Sequence, residues 1–285
     1  LTVRGAPAPA VAAVVALTVA LGLVALIALD RSNANPGLAS AASSESERRA
    51  SAELLPDLDQ EAPSKLVVTK ATVSGRRVFR LGFASAVTNV GAGPLIVDGH
   101  GTRGTGAMRA DQVLVQADGS TRTVVGVAAL RYVRSADHAH WHLIPFERYE
   151  LRSAGASASA VRDVKTGFCL GDRYDSKRSL ARKPSKKVFR SRCGLRSPHL
   201  LTLRQGISVG YGDDYDPTLE GQYVELTGLA TGRYVLVHRV NGDRRLLEGD
   251  YSNNAASLLL QLEWRGRTPV IQTLRTCRAS ARCGA

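Results

Sequence analysis

The chain has 285 residues, 44% hydrophobic and 22% charged, which suffices for a packed core and excludes wholesale disorder. Lys and Arg number 38 against 25 Asp and Glu, and the resulting +13 favours anionic partners such as nucleic acid, acidic polymers or a membrane surface. With 27 Gly, 11 Pro and few long helical runs, the composition leans toward a loop-rich β protein.

Residues 10–29 form an uncharged run of Ala, Val, Leu, Ile, Thr and Gly, preceded by Arg4 and closed by Asp30 and Arg31. At about 1.5 Å of rise per residue such a run spans a bilayer as an apolar helix. We read residues 1–30 as a signal anchor or a signal peptide, with the rest of the chain exported to the cell surface or beyond. Cytosolic and nucleic-acid roles are thereby disfavoured. Residues 31–64, rich in Ser, Ala, Pro, Glu and Asp, read as a disordered tether.

From Lys65 the pattern changes to period two. Leu81, Phe83 and Val87 alternate with Gly82, Ala84 and Thr88. Tyr234, Leu236 and His238 alternate with Val235, Val237 and Arg239. Leu258, Leu260, Leu262 and Trp264 share one face. Turn signals sit at Asn89-Val90-Gly91, Asp118-Gly119 and Asn241-Gly242-Asp243. The expected fold is mainly β, a β-sandwich with large loops over residues 65–266, preceded by the N-terminal apolar helix. Residues 267–285 read as a C-terminal tail.

Residues 171–200 stand apart: ten basic residues oppose Asp172 and Asp175, a surplus of eight out of the chain's thirteen. A solvated insertion and a docking loop for an anionic cell-wall polymer are both open readings. Cys169 and Cys193 bracket the segment and Cys277 and Cys283 sit together near the C-terminus, so proximity suggests those two disulfides among three possible pairings.

The sharpest feature is Asp137-His138-Ala139-His140-Trp141-His142, which holds three of the chain's six histidines at alternate positions. On a strand the three imidazoles share one face about 6–7 Å apart, and a bend lets them grip one ion. Imidazole suits copper, zinc or nickel. Trp141, on the opposite face, reads as the packing residue that stiffens the segment. His199 and His100 read as surface residues and His238 as a packed or rim histidine.

The neighbourhood of the histidines then carries a resemblance. The His-x-His-x-His run followed by Phe146-Glu147-Arg148-Tyr149-Glu150-Leu151 resembles the copper segment of the lysyl oxidase family. Lys165-Thr166-Gly167-Phe168-Cys169-Leu170-Gly171-Asp172 is similar to that family's Lys-x-x-Phe-Cys-Leu-x-Asp. Gln205-Gly206-Ile207-Ser208 with Gly210, Asp213, Tyr215 and Gln222 resembles the segment around its cofactor tyrosine. Asp250-Tyr251-Ser252-Asn253-Asn254 is similar to its Asp-Tyr-Thr-Asn-Asn turn, and Leu55-Pro56-Asp57-Leu58 resembles the start of its domain. The likeness covers about residues 55–265, in a compact bacterial-type form.

This resemblance implies copper bound by His138, His140 and His142, and a lysine tyrosylquinone made by the protein from Lys165 and Tyr215. It implies oxidative deamination of primary amines, peptidyl lysine included, by molecular oxygen, with release of an aldehyde, hydrogen peroxide and ammonia. Asp213, Asp214 and Asp216 are candidates for a catalytic base, although an ordinary acidic turn is the simpler reading. Two departures stand out. Lys165 and Tyr215 lie 50 positions apart, more than expected of the animal enzymes, and only four cysteines remain. The alternative from another class is a catalytically silent copper- or zinc-binding sandwich used in metal handling or surface adhesion.

Overall fold

The computed structural model describes residues 52–135, 139–154 and 160–284. The apolar run, residues 31–51 of the expected tether and His138 lie outside the described residues. Among the described residues there is no helix, and none long and apolar enough to cross a membrane.

In chain order the strands are β1 (Glu53–Leu54), β2 (Leu58–Gln60), β3 (Ser64–Val73), β4 (Arg76–Asn89), β5 (Leu95–Gly101), β6 (Ala107–Gln116), β7 (Thr121–Arg134) and β8 (Ala139–Ser153). They continue as β9 (Ala160–Phe168), β10 (Tyr174–Asp175), β11 (Thr202–Ile207), β12 (Tyr211–Tyr215), β13 (Tyr223–Glu225), β14 (Gly232–Val240), β15 (Ala255–Arg265) and β16 (Thr268–Cys277). The larger sheet runs β11-β5-β6-β7-β8-β14-β15-β16, with β1 on β6 and β9 on β8. The smaller runs β10-β12-β4-β13, with β2 and β3 also on β4. The three expected turns fall between strands; at Asp118-Gly119, Gly119 takes φ 85° and Asp118 Oδ1 accepts the Ser120 N–H at 2.8 Å, closing the β6–β7 hairpin.

Period-two alternation places Leu81 and Phe83 of β4 against Tyr149, Leu236 and Leu260 in one apolar cluster. A second cluster gathers Val87, Leu130, Trp141, Leu143, Phe146 and Phe168. Each such side chain contributes about 1.5–3 kcal/mol on burial, and these clusters join the two layers.

The folded domain begins earlier than composition suggests. β1 and β2 lie within the expected tether, and Leu58 is wholly buried. Its N–H donates to Glu248 Oε2 at 2.7 Å, while Glu248 Oε1 accepts from the amides of Asn241 at 2.6 Å and Asn254 at 2.7 Å. Asn253 donates to Asp57 at 2.6 Å. Two segments matched at opposite ends of the chain are thus one knot that fastens the start of the domain to its last turn. The expected C-terminal tail is also corrected: residues 268–277 are β16, paired along β15 from Ser257 to Arg265. Both disulfides, Cys169–Cys193 and Cys277–Cys283, are formed as proximity suggested.

Candidate metal and cofactor site

The first half of β8 carries His140 and His142 on one face and Trp141 on the other. Both edges of this segment are occupied. On one side β7 places Val133 opposite His140 and Arg131 opposite His142. On the other, Trp141 N–H donates to Cys193 O at 2.9 Å, and Arg196 N–H to Ala139 O at 2.6 Å. Trp141 is 1% exposed, meets the Tyr132 ring edge-on at 5.5 Å and donates from Nε1 to Ser197 O at 3.0 Å. The packing read for it from the sequence is what the structure shows.

Tyr215 arrives from the other sheet, at the end of β12 where its register partner on β4 is Ser85. Its hydroxyl lies 3.3 Å from His142 Nε2, which in turn is 2.8 Å from His140 Nε2. The Cys169 N–H donates to the phenol oxygen at 3.0 Å, and the ring stacks on Phe168 with centroids 3.9 Å apart and planes 13° off parallel. Burial pushes the phenol well above its ordinary value, and the neighbouring Asp213 carboxyl adds to the shift. The donor set suits a divalent transition metal. Two imidazole nitrogens each about 2.0 Å from an ion, at about 90° to one another, stand about 2.8 Å apart.

Lys165 lies on β9 opposite Arg148, three residues before Phe168, and the structure places it by this backbone register. His138 lies outside the described residues. Gln205 had a motif but no role in the sequence reading. It is fully buried, accepts the Leu170 N–H at 3.1 Å and donates to Trp141 O at 2.9 Å, so it spaces the end of the lysine strand from the histidine strand.

A cavity of about 280 Å³ opens over this centre, lined by His140, Tyr215, Asp213, Asp214, Arg173 and Arg192 among others. Asp213 is not a solvated turn residue. It is wholly buried, accepts the Gly171 N–H at 3.0 Å and lies 3.7 Å from Arg173 Nε, and burial pushes its carboxyl well above the usual range. Asp214 and Asp216 are exposed, and Asp216 lies 3.9 Å from Lys65.

The basic segment borders the cavity and is pinned at its base. The Asp172 carboxylate accepts from the backbone of Val188 at 2.7 Å, Phe189 at 3.1 Å and Ser208 at 2.7 Å, and from the Ser208 hydroxyl at 2.8 Å. Of the remaining histidines, His199 is exposed and His100 half-exposed beside Asp111. His238 is wholly buried between the sheets, 2.6 Å from Glu147 Oε2, 2.9 Å from Gln60 Nε2 and 3.1 Å from Ser85 Oγ. Alternation places His238 inward but gives no hint of Glu147, because that pairing depends on two strands far apart in sequence.

The lysyl oxidase family model matches residues 119–273. Pig protein-lysine 6-oxidase is 29% identical over 121 residues, 41% of this chain and 41% of the relative. Human lysyl oxidase homolog 1 is 28% identical over 121 residues, covering 41% of this chain but 18% of the relative. Zebrafish lysyl oxidase homolog 3B is 30% identical over 125 residues, 44% of this chain and 14% of the relative. The chain thus spans less than half the length of these relatives, and the family-model match contains both histidines of β8, Lys165 and Tyr215. The chain belongs to the lysyl oxidase family.

Proposed function

We propose that the protein is a copper-dependent amine oxidase that converts primary amines, peptidyl lysine among them, to aldehydes with release of hydrogen peroxide and ammonia. His138, His140 and His142 hold the copper, and Lys165 and Tyr215 supply the two halves of a lysine tyrosylquinone. The observation that carries this reading is the Tyr215 hydroxyl 3.3 Å from His142 Nε2, itself 2.8 Å from His140 Nε2. Copper with oxygen supplies the oxidation of a phenol that no unaided side chain performs, and the quinone supplies the electron acceptor for the amine.

The chain's own residues provide position. Phe168 fixes the plane of the Tyr215 ring, and the Cys169 N–H fixes its oxygen. Trp141 and Gln205 hold the histidine strand at a set distance from both. Among the described residues Asp213 is the one carboxyl buried in the cavity wall, and we assign it the exchange of a proton with the substrate amine. The two disulfides suit an oxidising compartment, in keeping with export directed by residues 10–29. A silent metal-binding module has no use for a phenol stacked and hydrogen-bonded beside its ligands.

Aerobic copper loading of the full chain is expected to produce a visible quinone absorption band and a tryptic peptide pair joined through Lys165 and Tyr215. Lys165→Arg and Tyr215→Phe are each expected to abolish the band and hydrogen peroxide release. Amine oxidation at the wild-type rate by Tyr215→Phe refutes the chemistry, and copper binding that survives loss of all three histidines refutes the site.

A further inference from the structure

The wall of the cavity carries a charge pattern that bears on which amines enter. Arg173 is held in place: its Nη2 donates to Cys169 O at 3.3 Å, Cys169 Sγ at 2.9 Å and Ser191 O at 3.2 Å. Gly171 makes the room for it, since a Cβ there would stand 2.7 Å from the guanidinium carbon. Lys187 adds a second cation by donating to Arg173 O. Arg192 is exposed on the cavity wall next to Cys193, whose backbone and disulfide are fixed to the histidine strand and to Cys169.

Guanidinium groups stay protonated at all working pH values. The carboxyls of the wall offset them only in part: Asp213 is wholly buried 3.7 Å from Arg173 Nε, and exposed Asp214 is the other carboxyl of the lining, set against Lys187 and Arg192. A substrate amine arrives as a cation and meets like charge at the mouth.

We propose that the cavity selects lysines in acidic peptide segments, with Arg173 and Arg192 as specificity-determining residues that receive the flanking carboxylates. This rests on the amine oxidase reading and names its substrate class. Neighbours of a lysine on an extended peptide lie about 3.3 Å along the chain, so they stay near the rim while the lysine reaches Tyr215. Charges about 6–8 Å apart near a protein surface change affinity about five- to tenfold at low salt, and salt removes most of that.

The test uses three peptides of equal length, each with one lysine flanked by two Glu, two Gln or two Arg. With copper-loaded full-length protein in low salt, kcat/KM is expected to fall in the order Glu, Gln, Arg, by about five- to tenfold per step, and the differences to shrink in 0.5 M NaCl. Arg192→Glu, which leaves Arg173 in place, is expected to compress the differences. Calorimetric titration of the same peptides into Tyr215→Phe reads the same order from binding alone. Equal values for the three peptides, a preference for the Arg-flanked one, or differences undiminished in Arg192→Glu overturns the inference. If the wild type oxidises none of them, the amine oxidase reading falls, and the calorimetric order by itself decides whether the cavity selects acidic segments.

Discussion

Loss of the Cys169–Cys193 bridge is expected to be among the most damaging changes outside the proposed metal ligands. The two cysteines are 24 positions apart, and closing a loop of that length in the unfolded chain corresponds to about 3.4 kcal/mol in the chain-entropy account. Cys277–Cys283, with a separation of 6, corresponds to about 2.2 kcal/mol by the same relation. The longer bridge also lies against the site. Cys169 presents its N–H to the Tyr215 oxygen, and Cys193 presents its carbonyl to Trp141. Urea unfolding of Cys169→Ala/Cys193→Ala is expected to show a loss of about 3–4 kcal/mol, against about 2 kcal/mol for Cys277→Ala/Cys283→Ala. In the first variant alone, copper should pass faster to a competing chelator. A loss below about 1 kcal/mol in the first variant, or a larger loss in the second, refutes the reasoning.

Three further changes separate the parts of the argument. Burial pushes the Glu248 carboxyl up to about 7 from 4.5, so its neutral form is favoured in the folded state and stability should fall as pH rises from 4.5 to 7, then level off. The drop is on the order of 3 kcal/mol, and Glu248→Gln should flatten it in urea midpoints measured in chelator-treated buffer. Gly82→Ala places a Cβ 2.2 Å from Pro217 O, two residues beyond Tyr215; a destabilisation of about 2 kcal/mol and slower growth of the quinone band are expected, read by urea unfolding and visible absorption. Trp141→Phe deletes the hydrogen bond to Ser197 O and should lower stability by about 1 kcal/mol and copper affinity severalfold, measured by chelator competition.

Strands were legible from alternation, as β4 and β14 illustrate: Leu81, Phe83 and Leu236 all point into the core, while β15, buried on both faces from Ala255 to Leu260, was legible as an apolar run. β16 was not, because as an edge strand it leaves Thr273, Leu274, Arg275 and Thr276 exposed and shows no period. β1 and β2, two and three residues long, are too short to display one. At the site, the histidines and Tyr215 were found as residue types in known patterns, and the structure brings His140, His142 and Tyr215 together. Gln205, Glu147 and the buried state of Asp213 were hidden, since each depends on a partner supplied by a strand or loop far along the chain. Local sequence encodes a face, whereas a buried polar network is encoded by topology.

The grip of Asp172 on Val188 and Phe189 closes the neck of the basic segment, and that closure separates two evolutionary problems. Beyond the neck, residues 177–187 form a lobe held to the domain in part by surface ion pairs such as Arg178–Asp59 at 2.7 Å, a kind of contact worth about 0–1 kcal/mol. The lobe is free to lengthen, shorten, change sign or be cut while the strands behind it keep their register. Arg173 is held by its own bonds to Cys169 and Ser191, and Arg192 by the adjoining Cys193 bridge, rather than by the outer lobe. On the proposed function, the surface of the lobe and the choice of amine are therefore written in two stretches of chain that selection is free to rewrite independently.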